Sequence, residues 1–181
     1  MPSKWYVCHI KQMAILTHPY VQLLAVQSLH DQYYIHCDIK PRNFMICTNG
    51  VPPTLSLIDF GLAWLFHNPA TYLHVPFTMD HSIIGTLLFT FINSPQGNSQ
   101  SCCNDLKSLA YTIIYSALGE LPWTSDFAGK NVKAALCKKT LIIVEELCKG
   151  LPAPFCKFVT YVHSLGFNKK PNYQFLHSIL K

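Results

Sequence analysis

The sequence predicts a mainly α fold with one short β-hairpin, and three observations carry that prediction. A segment centred near residue 110 repeats apolar side chains at intervals of three and four. Two short β-prone runs flank a turn-rich stretch, and apolar-periodic segments fill the C-terminal third. With 181 residues, 50% of them hydrophobic and 13% charged, the chain can bury a sizeable core as a single domain over 1–181.

In chain order, residues 20–29 are apolar on almost every face, which predicts a helix buried on most sides with Pro19 in its first turn. The runs Phe44-Met45-Ile46-Cys47 and Leu55-Ser56-Leu57-Ile58 enclose Asn49-Gly50 and Pro52-Pro53, the pattern of two antiparallel strands and their turn. Residues 63–101 read as a long irregular stretch, and loops of that length in compact domains are usually functional. Next comes the clearest amphipathic helix. Asn104 is its expected cap, Leu106, Leu109, Ala110, Ile113, Ile114 and Ala117 step along one face, and Gly119 ends it. Further helices are expected over 131–149, 153–165 and 173–180.

Composition excludes several classes. The formal charge is +5, but the 14 Lys and Arg are scattered, so no stripe suited to nucleic acid forms. No apolar run reaches the roughly 18 to 20 residues of a membrane span. Eight cysteines admit a disulfide framework, but there is no CxxC pair or secretory signal, so reduced thiols in a cytoplasmic or nuclear protein are expected.

The chemistry concentrates in His36-Cys37-Asp38-Ile39-Lys40-Pro41-Arg42-Asn43 and in Asp59-Phe60-Gly61. Phosphoryl transfer needs a carboxylate for the incoming hydroxyl, a cation near the transferring group and oxygen ligands for Mg²⁺. Asp38, Lys40, Asn43 and Asp59 supply those types in order, with Asp59 at the end of the second strand, able to meet Asn43 across a metal.

Order and spacing resemble the catalytic loop and metal-binding motif of eukaryotic protein kinases. The resemblance implies a kinase-like C-terminal lobe, helical, with the hairpin carrying both motifs. It implies Asp38 as catalytic base, Lys40 on the γ-phosphate of ATP, and Asn43 and Asp59 on Mg²⁺; Lys40-Pro41 is similar to the serine/threonine pattern. Downstream, Gly85-Thr86 with Phe91-Ile92-Asn93, Asp105-Leu106, Leu121-Pro122-Trp123, Tyr161, Lys170-Pro171 and Tyr173 resemble the casein kinase 1 group. In kinases the aspartate at Asp105 is structural and binds the backbone around His36. Trp123 is expected as a core anchor, and Lys130, Lys133, Lys138 and Lys139 as a solvated face or a contact for an acidic substrate.

The chain also departs from that pattern. All eight glycines lie at or beyond Gly50, no two form Gly-x-Gly, and upstream of His36 the only acid is Asp31 and the only lysines are Lys4 and Lys11. A phosphate-covering loop and a lysine–glutamate pair therefore cannot be built, and the N-terminal lobe is expected to be absent. Cys37 replaces the arginine that usually follows the histidine, and Leu88 replaces an arginine implicated in reading primed substrates. Two functions follow as expectations. One is a Ser/Thr kinase domain acting on a protein substrate; the other is an inactive pseudokinase serving as a protein-binding scaffold. An apolar inter-lobe surface would invite association in either case. No nucleic-acid or membrane partner is expected.

Overall fold

The structure, a computed structural model, describes residues 18–47, 54–68, 70–71, 73–77, 84–91 and 99–181. Asn49-Gly50, Pro52-Pro53, Ile92-Asn93 and the lysines Lys4 and Lys11 lie outside the described residues. Seven helices, α1 (Pro19–His30), α2 (Cys102–Leu118), α3 (Thr124–Ala128), α4 (Val132–Leu141), α5 (Val144–Leu147), α6 (Ala153–Ser164) and α7 (Tyr173–Leu180), dominate the described residues. Four short strands, β1 (Tyr34–Ile35), β2 (Phe44–Cys47), β3 (Thr54–Leu57) and β4 (Trp64–Leu65), complete them.

Helix α2 runs through the centre. Every side chain from Cys102 to Ile114 is buried, so its first three turns are enclosed rather than amphipathic, and the chain emerges only at Ala117 and Leu118. Packing on more than one side explains this: α1 and α6 both lie against it. The N-cap is Ser101, not Asn104; Asn104 sits three residues in and its Oδ1 reaches back to the Ser101 N–H at 3.0 Å. Gly119 ends the helix as expected, at φ +83° with its N–H on the Tyr115 carbonyl.

Helix α1 carries Pro19 in its first turn and sinks Leu23 and Val26 completely, while Leu24 and Ser28 stay exposed. The single helix expected over 131–149 is two. Ile142 and Ile143 both adopt extended backbone, a conformation β-branched residues favour, and the chain turns there before α5 begins. Asn131 caps α4 through the Ala134 N–H, and Asn172 caps α7 through the Phe175 N–H. Leu176 and Leu180 of α7, with Phe158, Val159 and Val162 of α6, close the core around α2.

Strands β2 and β3 pair antiparallel, Phe44 against Leu57 and Cys47 against Thr54, one residue earlier on the second strand than the sequence pattern indicates. A second pair, β1 with β4, aligns Tyr34 with Leu65 and Ile35 with Trp64. The two pairs bracket the polar motifs: residues 36–43 connect β1 to β2, and residues 58–63 connect β3 to β4. Antiparallel pairing on both sides lays these connections next to each other. The seven described cysteines are free thiols, and no helix among the described residues is long and apolar enough to cross a membrane.

Candidate active site

The connection from β1 to β2 is positioned by an acid outside it. Asp105, in the first turn of α2 where the helix dipole favours negative charge, is 2% exposed. Its carboxylate accepts from the backbone N–H of His36 at 2.7 Å and of Cys37 at 2.9 Å, and from His30 Nε2 at 2.9 Å. His30 in turn meets the Tyr173 hydroxyl through Nδ1. Burial holds the Tyr173 phenol well above its ordinary pKa, so it stays a donor. Thus the ends of α1, α2 and α7 converge on one carboxylate, and Asp105 takes the place expected for it.

That anchor holds a constrained backbone. Cys37 lies in the left-handed region at φ +66°, which costs a non-glycine residue roughly 1–2 kcal/mol. Burial, with the charge of Asp105 next, drives its thiol far up, so it is a protonated core side chain. His36 is fully buried. Its Nε2 donates to the Ile58 carbonyl at 2.9 Å and its Nδ1 accepts from the Asp38 N–H at 3.3 Å, partners that assign the Nε2–H tautomer.

Asp38 then projects into a small polar cluster. One oxygen accepts the Thr86 N–H at 2.7 Å; the other meets Lys40 Nζ at 2.5 Å and Asn43 Nδ2 at 3.5 Å. Burial alone would raise the Asp38 pKa, but hydrogen bonds from Lys40 and Thr86, with the Lys40 charge, outweigh it and hold the carboxyl below its ordinary value. Lys40 Nζ also donates to Thr86 Oγ1 at 3.0 Å, so Asp38, Lys40 and Thr86 form a closed triangle whose third side is the Thr86 N–H on Asp38.

Asn43, buried at the end of a 3-10 turn, spends its amide N–H₂ on the Asp38 carbonyl at 2.9 Å. Its Oδ1 is therefore the atom left for a cation. Asp59 is exposed at φ +64°, fixed by its neighbour Ile58, whose N–H reaches the Asn43 carbonyl at 2.9 Å and whose carbonyl accepts from His36. Among the described residues the Asn43 amide binds Asp38, not Asp59. An amide oxygen and an exposed carboxylate are a hard-oxygen donor pair that suits Mg²⁺.

Of the residues singled out in the sequence, Asp38, Lys40 and Asn43 make direct contact, and Asp59 is brought alongside through Ile58. Two participants gave no chemical signal: Thr86 was visible only as part of a motif, and His30, one residue past the expected helix, was not singled out. Lys139 corrects the expected solvated face, being 6% exposed, while its neighbour Lys138 pairs with Asp126 at 2.7 Å. Trp123, as expected, is a core anchor with no exposed surface.

Comparison with known proteins gives a family match and several similar chains. The family described as protein kinase domain matches residues 10–177. Casein kinase I homolog 2 of Schizosaccharomyces pombe is 36% identical over 165 residues, covering 87% of this chain and 37% of its own. Casein kinase I homolog 3 of that yeast is 33% identical over 162 residues, with 87% and 37% covered. A probable casein kinase I homolog of Encephalitozoon cuniculi is 39% identical over 158 residues, 86% of this chain and 51% of the relative. The chain thus spans between 37% and 51% of the length of these relatives.

Proposed function

The chain belongs to the protein kinase domain family and is casein kinase 1-like, and from that membership we propose that residues 36–59 transfer the γ-phosphate of ATP to serine or threonine hydroxyls of a protein. The observation that carries the reading is the triangle of Asp38, Lys40 and Thr86. Its carboxylate, held below the ordinary pKa, is ionised at neutral pH and oriented on both oxygens. Asp38 would take the proton of the incoming hydroxyl, while the Lys40 ammonium faces the charge of the phosphoryl group in transit. Asn43 Oδ1 and the Asp59 carboxylate would hold Mg²⁺, with water and phosphate oxygens completing its shell. Bound Mg·ATP supplies the transferable phosphoryl and neutralises its charge.

Phosphate incorporation from labelled ATP into a degenerate serine/threonine peptide library tests this. It is measured on the 181-residue chain and on the chain joined in frame to the glycine-rich lobe of a casein kinase I homolog. Transfer by at least one form, lost by about a hundredfold or more in Asp38→Ala, is the expected result. Mg·ATP binding should be abolished by Asp59→Asn. Neither transfer nor Mg·ATP binding by either form would leave the protein-binding scaffold as the function, a reading that Cys37, an inert thiol in place of a basic side chain, favours.

A further inference from the structure

The turn that presents Thr86 is held from behind. Within it, the N–H groups of Phe89 and Thr90 bond the Thr86 carbonyl at 2.8 and 2.9 Å, and Thr90 Oγ1 donates to the same oxygen at 3.1 Å. Three of the remaining carbonyls are taken by two side chains from beyond α2. Lys139 Nζ donates to the Leu87 carbonyl at 2.5 Å and the Thr90 carbonyl at 2.8 Å, and Trp123 Nε1 donates to the Leu88 carbonyl at 2.8 Å. With the turn's own bonds to Thr86, Lys139 and Trp123 give every carbonyl from Thr86 to Leu88, and that of Thr90, a partner.

Lys139 is an expensive way to fill that space. It lies on α4, 6% exposed, among the ring faces of Trp123 at 5.0 Å, Tyr111 at 5.4 Å and Phe127 at 5.7 Å. Among the described residues no carboxylate forms an ion pair with it. Burying an ammonium without a counter-charge is costly, and burial pulls its pKa down to about 7. A methionine of similar length would occupy the site without that cost. What the ammonium supplies is direction, because two carbonyls three positions apart in one turn converge on a single Nζ.

We propose that Lys139 is a positioning residue of the phosphotransfer site. By tethering the Leu87 and Thr90 carbonyls it holds the 86–90 turn in the register that aims the Thr86 amide and hydroxyl at Asp38 and Lys40. The word phosphotransfer rests on the function proposed above; the tether itself is independent of it.

The test is made by NMR on the full 181-residue chain, with the Thr86 amide as reporter, since a 2.7 Å bond to a carboxylate moves that proton far downfield. In Lys139→Met the Thr86 amide proton should move upfield. Exchange of the Phe89 and Thr90 amides should accelerate at least about tenfold, while global stability to urea is unchanged or higher. A merely space-filling lysine predicts none of the local changes, and a folded Lys139→Met protein with Thr86 and both exchange rates as in the wild type overturns the proposal. If Lys139→Met does not fold, Lys139→Gln, which keeps a donor but no charge, is read by the same two signals and the same criterion. Peptide phosphorylation is measured alongside. No transfer by either the 181-residue chain or the joined form, but with the local effects present, sinks the kinase reading alone; absent local effects in a transferring protein sink this one alone.

Discussion

Gly85 offers the sharpest test of how closely the two halves of the site are pressed together. It adopts φ +91°, and a Cβ added there would lie 2.3 Å from the Cys37 carbonyl oxygen, 2.8 Å from Thr90 Oγ1 and 3.4 Å from Asp38 Oδ1. Alanine in the left-handed region costs roughly 1–2 kcal/mol by itself. The Thr90 hydroxyl can rotate away, but the Cys37 carbonyl cannot retreat freely, because its residue is pinned to Asp105. Overpacking of that kind adds about 1–3 kcal/mol, and the stiffer unfolded chain returns about 0.4–1 kcal/mol. Gly85→Ala is therefore expected to lose about 3 kcal/mol, a large share of a domain stability of roughly 5–15 kcal/mol. Urea unfolding measures it, with Gly166→Ala as control, since a Cβ at Gly166 meets nothing within 4 Å and its backbone is not left-handed. A loss below about 1 kcal/mol in Gly85→Ala, with an unchanged urea slope, would show that the 84–86 segment and the Cys37 backbone are not held against each other as described.

Two further outcomes follow from the same contacts. Asp105→Asn turns one acceptor oxygen into an N–H₂ facing the donors His36 N–H, Cys37 N–H and His30 Nε2, and should cost at least about 3 kcal/mol in urea unfolding. Asp38 has a folded pKa below its ordinary 3.8, so its contribution to stability is complete above 3.8 and is lost as pH falls through the folded value. The stability difference between wild type and Asp38→Asn should accordingly shrink below about pH 4, and a difference that stays constant down to pH 2 would contradict the depressed pKa.

The parts of this protein that were legible in the sequence are those where local pattern and chemistry coincide. The contact of Asp38 with Lys40 and Asn43 was readable because polar side chains two and five residues apart share one short connection, and α2 because its apolar spacing survives in isolation. Gly119 was readable because few residues tolerate a left-handed helix end. The rest depends on distance in the chain. Asp105 grips His36 from 69 positions away, a contact that only the family resemblance implied, and nothing near His30 announces that it shares that carboxylate. Two adjacent lysines on a short helix look alike in sequence, yet successive helical residues point about 100° apart, which sends Lys138 to Asp126 and Lys139 into the interior. Strands of two residues, such as β1 and β4, are too short for alternation to register at all. The break at Ile142 and Ile143 is not announced by the pattern: both take extended backbone, and Ile142 packs on the core while Ile143 is 61% exposed.

The two acids of the site share a single mechanical support. Asp38 follows a left-handed residue, Cys37, and Asp59 is one itself, so each is presented by backbone that would relax if unsupported. Cys37 is held by Asp105, and Asp59 by Ile58, whose two backbone groups bond Asn43 and His36. His36 belongs to both supports, giving its N–H to Asp105 and its Nε2–H to Ile58 while its Nδ1 receives the Asp38 N–H. One buried imidazole seated on the start of α2 thus ties the two acids together, beyond what the two- and four-residue strands on either side supply. Weakening either sheet should move both acids together, whereas loss of the imidazole would let them move apart.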